Sequence, residues 1–185
     1  MKNFRIFNLL GEVSLNTEIE FSEFINEVIT DPELPVIITI NSPGGSAEIG
    51  FSIYNKIRAL PNPVYTLITG SCYSIAEIIF LAVPFERRFA FNYTSFFTHS
   101  SRTKILDYYT PHELSEECKD TNKINCDIYG ILCNNTNIST SLLNEIFFEK
   151  NYEAVKYFSD DFEKLGIARI ITKFSDIFNS EYKEE

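Results

Sequence analysis

Ser74, His99 and the pair Gly44-Gly45 are the residues whose types and spacing could do chemistry. A serine is a weak nucleophile until a neighbouring base takes its proton, and the oxyanion formed by its attack needs preorganised N–H donors. The chain supplies these parts at three turns: Asn41-Ser42-Pro43-Gly44-Gly45-Ser46, Gly70-Ser71-Cys72-Tyr73-Ser74, and His99 after Ser95-Phe96-Phe97-Thr98. Together they are the parts of an acyl-transfer site. Each also has an ordinary use: Pro-Gly-Gly suits any strand-to-helix connection, a serine at a helix start is commonly an N-cap, and a histidine among aromatic residues is commonly packed. The chain has two histidines. His112 falls in an expected helix start, which leaves His99 as the candidate general base.

These residues must be held by the elements around them. Val36 to Ile40 is an uncharged β-branched run that reads as a buried strand, stopped by Ser42-Pro43-Gly44-Gly45. Ser46 then caps a helix with Ile49, Ile53, Ile57 and Leu60 on one face, its N-terminal amides toward the turn. Val64 to Thr69 repeats the design, with Gly70 as breaker and Ile75, Ile78, Ile79 and Ala82 at helical spacing until Pro84. Ser74 thus sits at a helix mouth, where the helix terminus and the Ile75 amide favour developing negative charge. All three parts lie at strand ends, where α/β sheets place their sites.

At these residues the chain resembles the Clp protease proteolytic subunit family. Asn-Ser-Pro-Gly-Gly-Ser, Gly-x-x-x-Ser, the histidine after Phe-Phe-Thr and the late Leu165-Gly166-Ile167 carry the likeness, with 29 residues from Gly45 to Ser74 and 25 from Ser74 to His99. It extends over roughly residues 4–171. The resemblance implies a ClpP/crotonase-like α/β spiral and a serine endopeptidase. Ser74 would be the nucleophile, His99 the base, and the Gly45 and Ile75 amides the oxyanion hole. It implies neither cofactor nor metal.

The third triad member, normally an aspartate, is where the sequence departs. The family pattern of a Glu-Lys pair before that aspartate puts Asn151 in the slot within Glu149-Lys150-Asn151-Tyr152, with Glu149, Glu153 and Asp160 as alternatives. An amide still orients an imidazole but gives no charge to the imidazolium, and in another serine hydrolase this exchange lowered turnover by about 10⁴. Cys72, Ala76 and Glu77 are smaller departures around the nucleophile. Glu77 is expected to face solvent; turned inward, it would favour the imidazolium of His99.

Composition bounds the rest. A chain of 185 residues, 44% hydrophobic and 15% aromatic, can bury one sizeable core, and no linker or repeat divides it. One domain over residues 1–185 is expected, a head of 1–110 and 150–185 with a handle region of about 111–149. A net charge of −10 with 16 scattered basic residues argues against nucleic acid. No run reaches the ~18 apolar residues of a membrane span, and the N-terminus lacks a signal-peptide pattern. Cys118, Cys126 and Cys133 fall near one helix face without metal spacing, so reduced, packed thiols in a cytoplasmic protein are expected.

The element reading is strand 4–10, helix 18–30, strand 36–40, helix 47–60, strand 64–69, helix 74–83, strands 87–91 and 95–98, helices 111–134, 140–149 and 160–165, and strand 167–171, in a mostly parallel sheet. Thr17 and Thr110 each open a capping-box pattern, the second with Pro111 at the first helical position. The long helix carries one apolar stripe: Leu114, Cys118, Thr121, Ile124, Ile128 and Ile131.

By resemblance this helix is the handle through which heptameric rings stack, so self-association into rings is expected, acting on peptides or unfolded proteins. A AAA+ unfoldase is the family's usual partner. The first strand begins by about Phe4, ahead of which family members place pore loops, and this argues against the usual docking. Two other readings stand beside the peptidase. One is a catalytically weak subunit with a structural role in a mixed ring. The other is a crotonase-fold acyl-CoA enzyme, which has no use for Ser74 and His99 in triad register. A Ser-Lys peptidase lacks its lysine near Ser74. Substrate choice would fall to the groove between Gly45 and the segment Ser100 to Tyr109.

Overall fold

The computed structural model describes residues 3–102, 108–149 and 154–179. The chain runs β1 (Arg5–Val13), α1 (Leu15–Val28), β2 (Val36–Gly45), α2 (Ala47–Ala59), β3 (Val64–Tyr73), α3 (Ile75–Phe80), β4 (Arg88–Ala90), β5 (Ser95–His99), α4 (Pro111–Asn135), α5 (Thr140–Phe147), β6 (Ala154–Phe158), β7 (Arg169–Ile170) and α6 (Asp176–Asn179). The sheet order is β1-β2-β3-β4-β7, every neighbouring pair parallel. β3 is shared: Thr66, Leu67 and Ile68 pair with β4, while Ser71, Cys72 and Tyr73 pair with β5, again in parallel. β6 then runs antiparallel along β5, placing Ala154 opposite His99.

The uncharged runs make the central strands. Val36, Ile37, Ile38 and Ile40 are all buried, as are Val64, Leu67 and Ile68, because helices or chain cover both faces of a parallel sheet. One face carries the main core with α1, α2 and α3; Glu18 of α1 accepts a 2.8 Å bond from Lys56 of α2. On the other face Ile37, Tyr65, Leu67 and Phe89 are covered by Ile171 and Ile177, with Phe4, Phe91 and Phe178 packed around them.

Several boundaries differ from the expectations. β2 and β3 do not stop at Ile40 and Thr69 but run on to Gly45 and Tyr73, because the ladder absorbs the turn residues in register shifts between Leu10 and Glu12 and between Ile40 and Ser42. A bulge tolerates Pro43, whose missing N–H would weaken a regular ladder. The first helix begins at Leu15 under Ser14. Thr17 is its third residue and accepts the Ser14 N–H at 3.3 Å, so it is not the cap. The helix after Ser74 is six residues long, and the expected helix over 160–165 is a 3₁₀ turn at Ser159–Asp161. β6 and α6 were not anticipated.

The handle helix forms as expected. Thr110 accepts from the Glu113 N–H at 3.3 Å, and Glu113 accepts the Thr110 N–H at 2.7 Å. Its far end is held by Arg88, 3% exposed, whose Nη1 donates to the Asn135 carbonyl at 2.8 Å, a cation at the negative end of the helix. Burial lowers the Arg88 pKa to about 10. The apolar stripe is covered only in part: Leu114 and Cys118 are exposed, Thr121, Ile124 and Ile131 half-buried, and Ile128 buried. Nor are the thiols uniformly packed, since Cys118 and Cys126 are exposed, Cys133 is half-buried and Cys72 lies in the core. Among the described residues no helix is long and apolar enough to cross a membrane.

Candidate active site

β2, β3 and β5 end side by side, and their ends deliver the three parts. Ser74 follows β3 directly and adopts φ 56°, ψ −134°, a conformation that costs a non-glycine residue about 1–3 kcal/mol. Its N–H donates to the Phe97 carbonyl at 2.9 Å and its carbonyl accepts from the Glu77 N–H at 2.9 Å, so backbone on both sides holds the turn. Its hydroxyl makes no capping bond to α3. Ser74 is therefore not the plain N-cap its position allows. By contrast Ser46 does cap α2, accepting the Ile49 N–H at 3.4 Å.

Gly44 has to be glycine. It sits at φ +92°, and a Cβ there would lie 2.6 Å from the Ser74 Cβ and 2.7 Å from the Tyr73 carbonyl. A Cβ on Gly45 would meet the Val13 carbonyl at 2.2 Å. Gly44 lets the β2 end approach the serine, and Gly45 lets it approach β1, more closely than any side chain permits.

Gly45, Ser74, Ile75 and His99 all line one cavity of about 280 Å³, walled further by Ser101 and Arg102 and by Thr121, Ile124 and Ile128 of α4. Larger hollows elsewhere, such as one of 370 Å³ beside Asn62 and Arg87, hold none of these residues. His99 is half-buried against Phe97, and its Nδ1 lies 2.6 Å from the Ser100 carbonyl. A carbonyl accepts only, so Nδ1 carries the proton and Nε2 keeps its lone pair, the tautomer a general base needs. No hydrogen bond joins the Ser74 hydroxyl to His99 among the described residues; in unliganded sites such bonds are often long.

Asn151 and Glu153 lie outside the described residues, while Ala154, just beyond them, is the register partner of His99. Glu149 and Asp160 are exposed. His112 is exposed at the start of α4. No cluster of three metal-binding side chains occurs among the described residues.

Glu77 overturns its expectation. It is fully buried, one carboxyl oxygen accepts the Thr98 hydroxyl at 3.1 Å, and the other has no partner among the described residues. Burial pushes its pKa well up, which disfavours the charge that would support the imidazolium. Burial also raises the Cys72 thiol and takes the Tyr157 phenol to about 12. Sequence reasoning missed Asn125, whose buried side chain accepts the Ser101 N–H at 2.7 Å and so sets the cavity wall. A polar residue within the apolar stretch of the long helix was the available signal.

The Clp protease family model matches residues 4–158, and the chain belongs to that family. The chain is similar to the ATP-dependent Clp protease proteolytic subunit 1 of Protochlamydia amoebophila, 39% identical over 71 residues that make up 38% of this chain and 34% of that protein. It is also similar to proteolytic subunit 2 of Treponema denticola, 35% identical over 102 residues, 55% of this chain and 50% of that protein. The matched stretches thus span between 34% and 50% of these curated relatives. Among solved structures, an asparagine-to-aspartate mutant of ClpP1 from Listeria monocytogenes superposes with a TM-score of 0.81 over 94% of each chain at 21% identity, a likeness of fold.

Proposed function

We propose that this chain is a serine-type endopeptidase subunit that works within a ring-shaped oligomer as a single unit of head and handle. The observation that carries the reading is a strained serine, without a capping bond, sharing one cavity with a histidine whose Nδ1 is held by a carbonyl. In this reading Ser74 Oγ attacks the scissile carbonyl while Nε2 of His99 takes its proton. The Gly45 and Ile75 amides hold the oxyanion. The imidazolium then protonates the leaving amine as the C–N bond breaks, and water releases the acyl group by the same steps in reverse. The Ser100 carbonyl keeps the tautomer, with Asn151 in the slot of the third residue. Both are neutral, so the imidazolium gains less than a carboxylate would give it. That favours a slow peptidase, and in the limit a ring subunit whose role is structural.

The test is labelling of the purified protein with a fluorophosphonate probe, the adduct located by mass spectrometry. An adduct on Ser74, lost in Ser74→Ala and reduced about 10³-fold or more in His99→Ala, is expected. No adduct on a folded, oligomeric protein decides for the structural subunit.

A further inference from the structure

Glu77 is the third residue of α3, the helix that Ser74 opens, and Thr98 immediately precedes His99 at the end of β5. Their side-chain bond is thus a direct tie between the element that carries the nucleophile and the element that carries the base. In an ordinary capping box a glutamate at this position would reach back to the N–H of the cap residue. Here that N–H is taken by the Phe97 carbonyl, and the carboxyl is free to turn to β5. The surroundings favour an uncharged acid: Cys72 of β3 is buried near it, Tyr157 of β6 is half-buried with its hydroxyl enclosed, and neither is a cation. Arg102 and His99 line the cavity above it. Thr121, Ile124 and Ile128, which α4 presents there, do not titrate at ordinary pH.

Resting on the peptidase reading, we propose that Glu77 is a positioning residue: through its bond to Thr98 it sets the distance and angle between Ser74 and His99. Among the described residues the second oxygen has no protein partner, and Glu77 itself lines the cavity, so its bonds within the fold give the carboxyl little to add to stability. Burying a polar atom without a partner costs about 1–3 kcal/mol, and replacing both members of a buried pair by apolar groups of similar shape is near neutral or stabilising. A residue that costs stability beside a reactive pair is what a positioning role requires.

The test uses three full-length variants: Glu77→Gln, which keeps a bond to Thr98 and cannot ionise; Thr98→Val, which removes the donor; and the double variant Glu77→Met with Thr98→Val, which removes both partners. Each is followed by melting temperature and by the rate of fluorophosphonate labelling across pH. The double variant is expected to melt at or above wild type yet label about tenfold slower or worse, since a displacement near 1 Å at a reacting pair is enough for such a loss. Thr98→Val should label as slowly, and Glu77→Gln should label at the wild-type rate near neutrality and lack the alkaline fall of the wild type. Labelling of the double variant within twofold of wild type overturns the proposal, as does an alkaline fall that Glu77→Gln shares. If wild type itself is not labelled, the peptidase reading has failed, and amide hydrogen exchange over residues 95–99 decides the tie on its own. Faster exchange in the double variant with wild-type exchange in Glu77→Gln supports it, and equal exchange in both overturns it.

Discussion

At the scale of single residues, one buried carboxyl makes a pH-dependence that can be worked out with its sign. Burial holds the Glu77 pKa well above that of the unfolded chain. Between those two values the folded protein binds one proton more than the unfolded one, so stability is full below the ordinary carboxyl range and declines as pH rises toward the folded pKa. The limiting slope is about 1.4 kcal/mol per pH unit. Glutamine has no proton to lose. Glu77→Gln should therefore melt close to wild type at about pH 5 and above it by a margin that widens toward about pH 8. Scanning calorimetry across that range checks this, and a gap constant in pH would show that Glu77 titrates normally. The same residue marks a limit of sequence reading. A glutamate among Ile75, Ala76, Ile78, Ile79 and Phe80 looks like the solvated face of a helix, but α3 is six residues long and buried all round, so it has no such face. That Ser74, His99, Gly45 and Ile75 would meet around one cavity was legible because acyl-transfer chemistry constrains residue type and spacing together. Asn125 and the Ser100 carbonyl were not, because their roles come from contacts made by a loop.

At the scale of elements, α6 is four residues long, too short to persist without tertiary support, yet it covers an apolar sheet face. Ile177 is fully buried there, Phe178 lies 5.5 Å from the Phe4 ring and 5.6 Å from Tyr65, and Phe174 lies 5.6 Å from Phe91. Ile177→Ala should cost about 2–5 kcal/mol, the range for emptying a buried aliphatic site. Because the strap is peripheral, it should detach before the core melts. A fluorescent dye for exposed apolar surface should then bind the variant well below its melting temperature. A single transition with no early dye binding would mean that α6 unfolds with the rest. The strap was not read from sequence, since a segment with Ile177 and Phe178 amid charges shows no period over so few residues. β6 was hidden for a related reason: its Ala-Val-Lys-Tyr-Phe alternates weakly, and pairing with β5 makes it a strand. The parallel core was legible because Val36 to Ile40 and Val64 to Ile68 are buried on both faces. Their ends were misjudged because glycine and proline were read as stops where the ladder takes them up as bulges.

At the scale of the whole molecule, charge and assembly pull against each other. Each chain carries −10, so bringing several together, as the ring reading requires, crowds like charge. The handle could answer this with pairs between subunits, but its lysines are engaged within their own helix: Lys119 with Glu116 at 2.6 Å, and Lys123 with Asp127. Exposed pairs of this kind contribute about 0.2–0.5 kcal/mol each, too little to offset repulsion between whole subunits at low salt. Screening therefore decides the balance. The Debye length falls from about 30 Å at 0.01 M salt to about 10 Å at 0.1 M, which removes long-range repulsion and leaves apolar contacts intact. Sedimentation velocity at fixed protein concentration should show the population moving from small species to rings as salt rises through that interval. Rings that instead come apart as salt is added would mean that cross-subunit ion pairs hold them, with the exposed turns of α4 from Pro111 to Asp120 as the place to look. A single small species at every salt concentration would remove the ring from the proposed function and leave the cavity at Ser74 to be tested by itself.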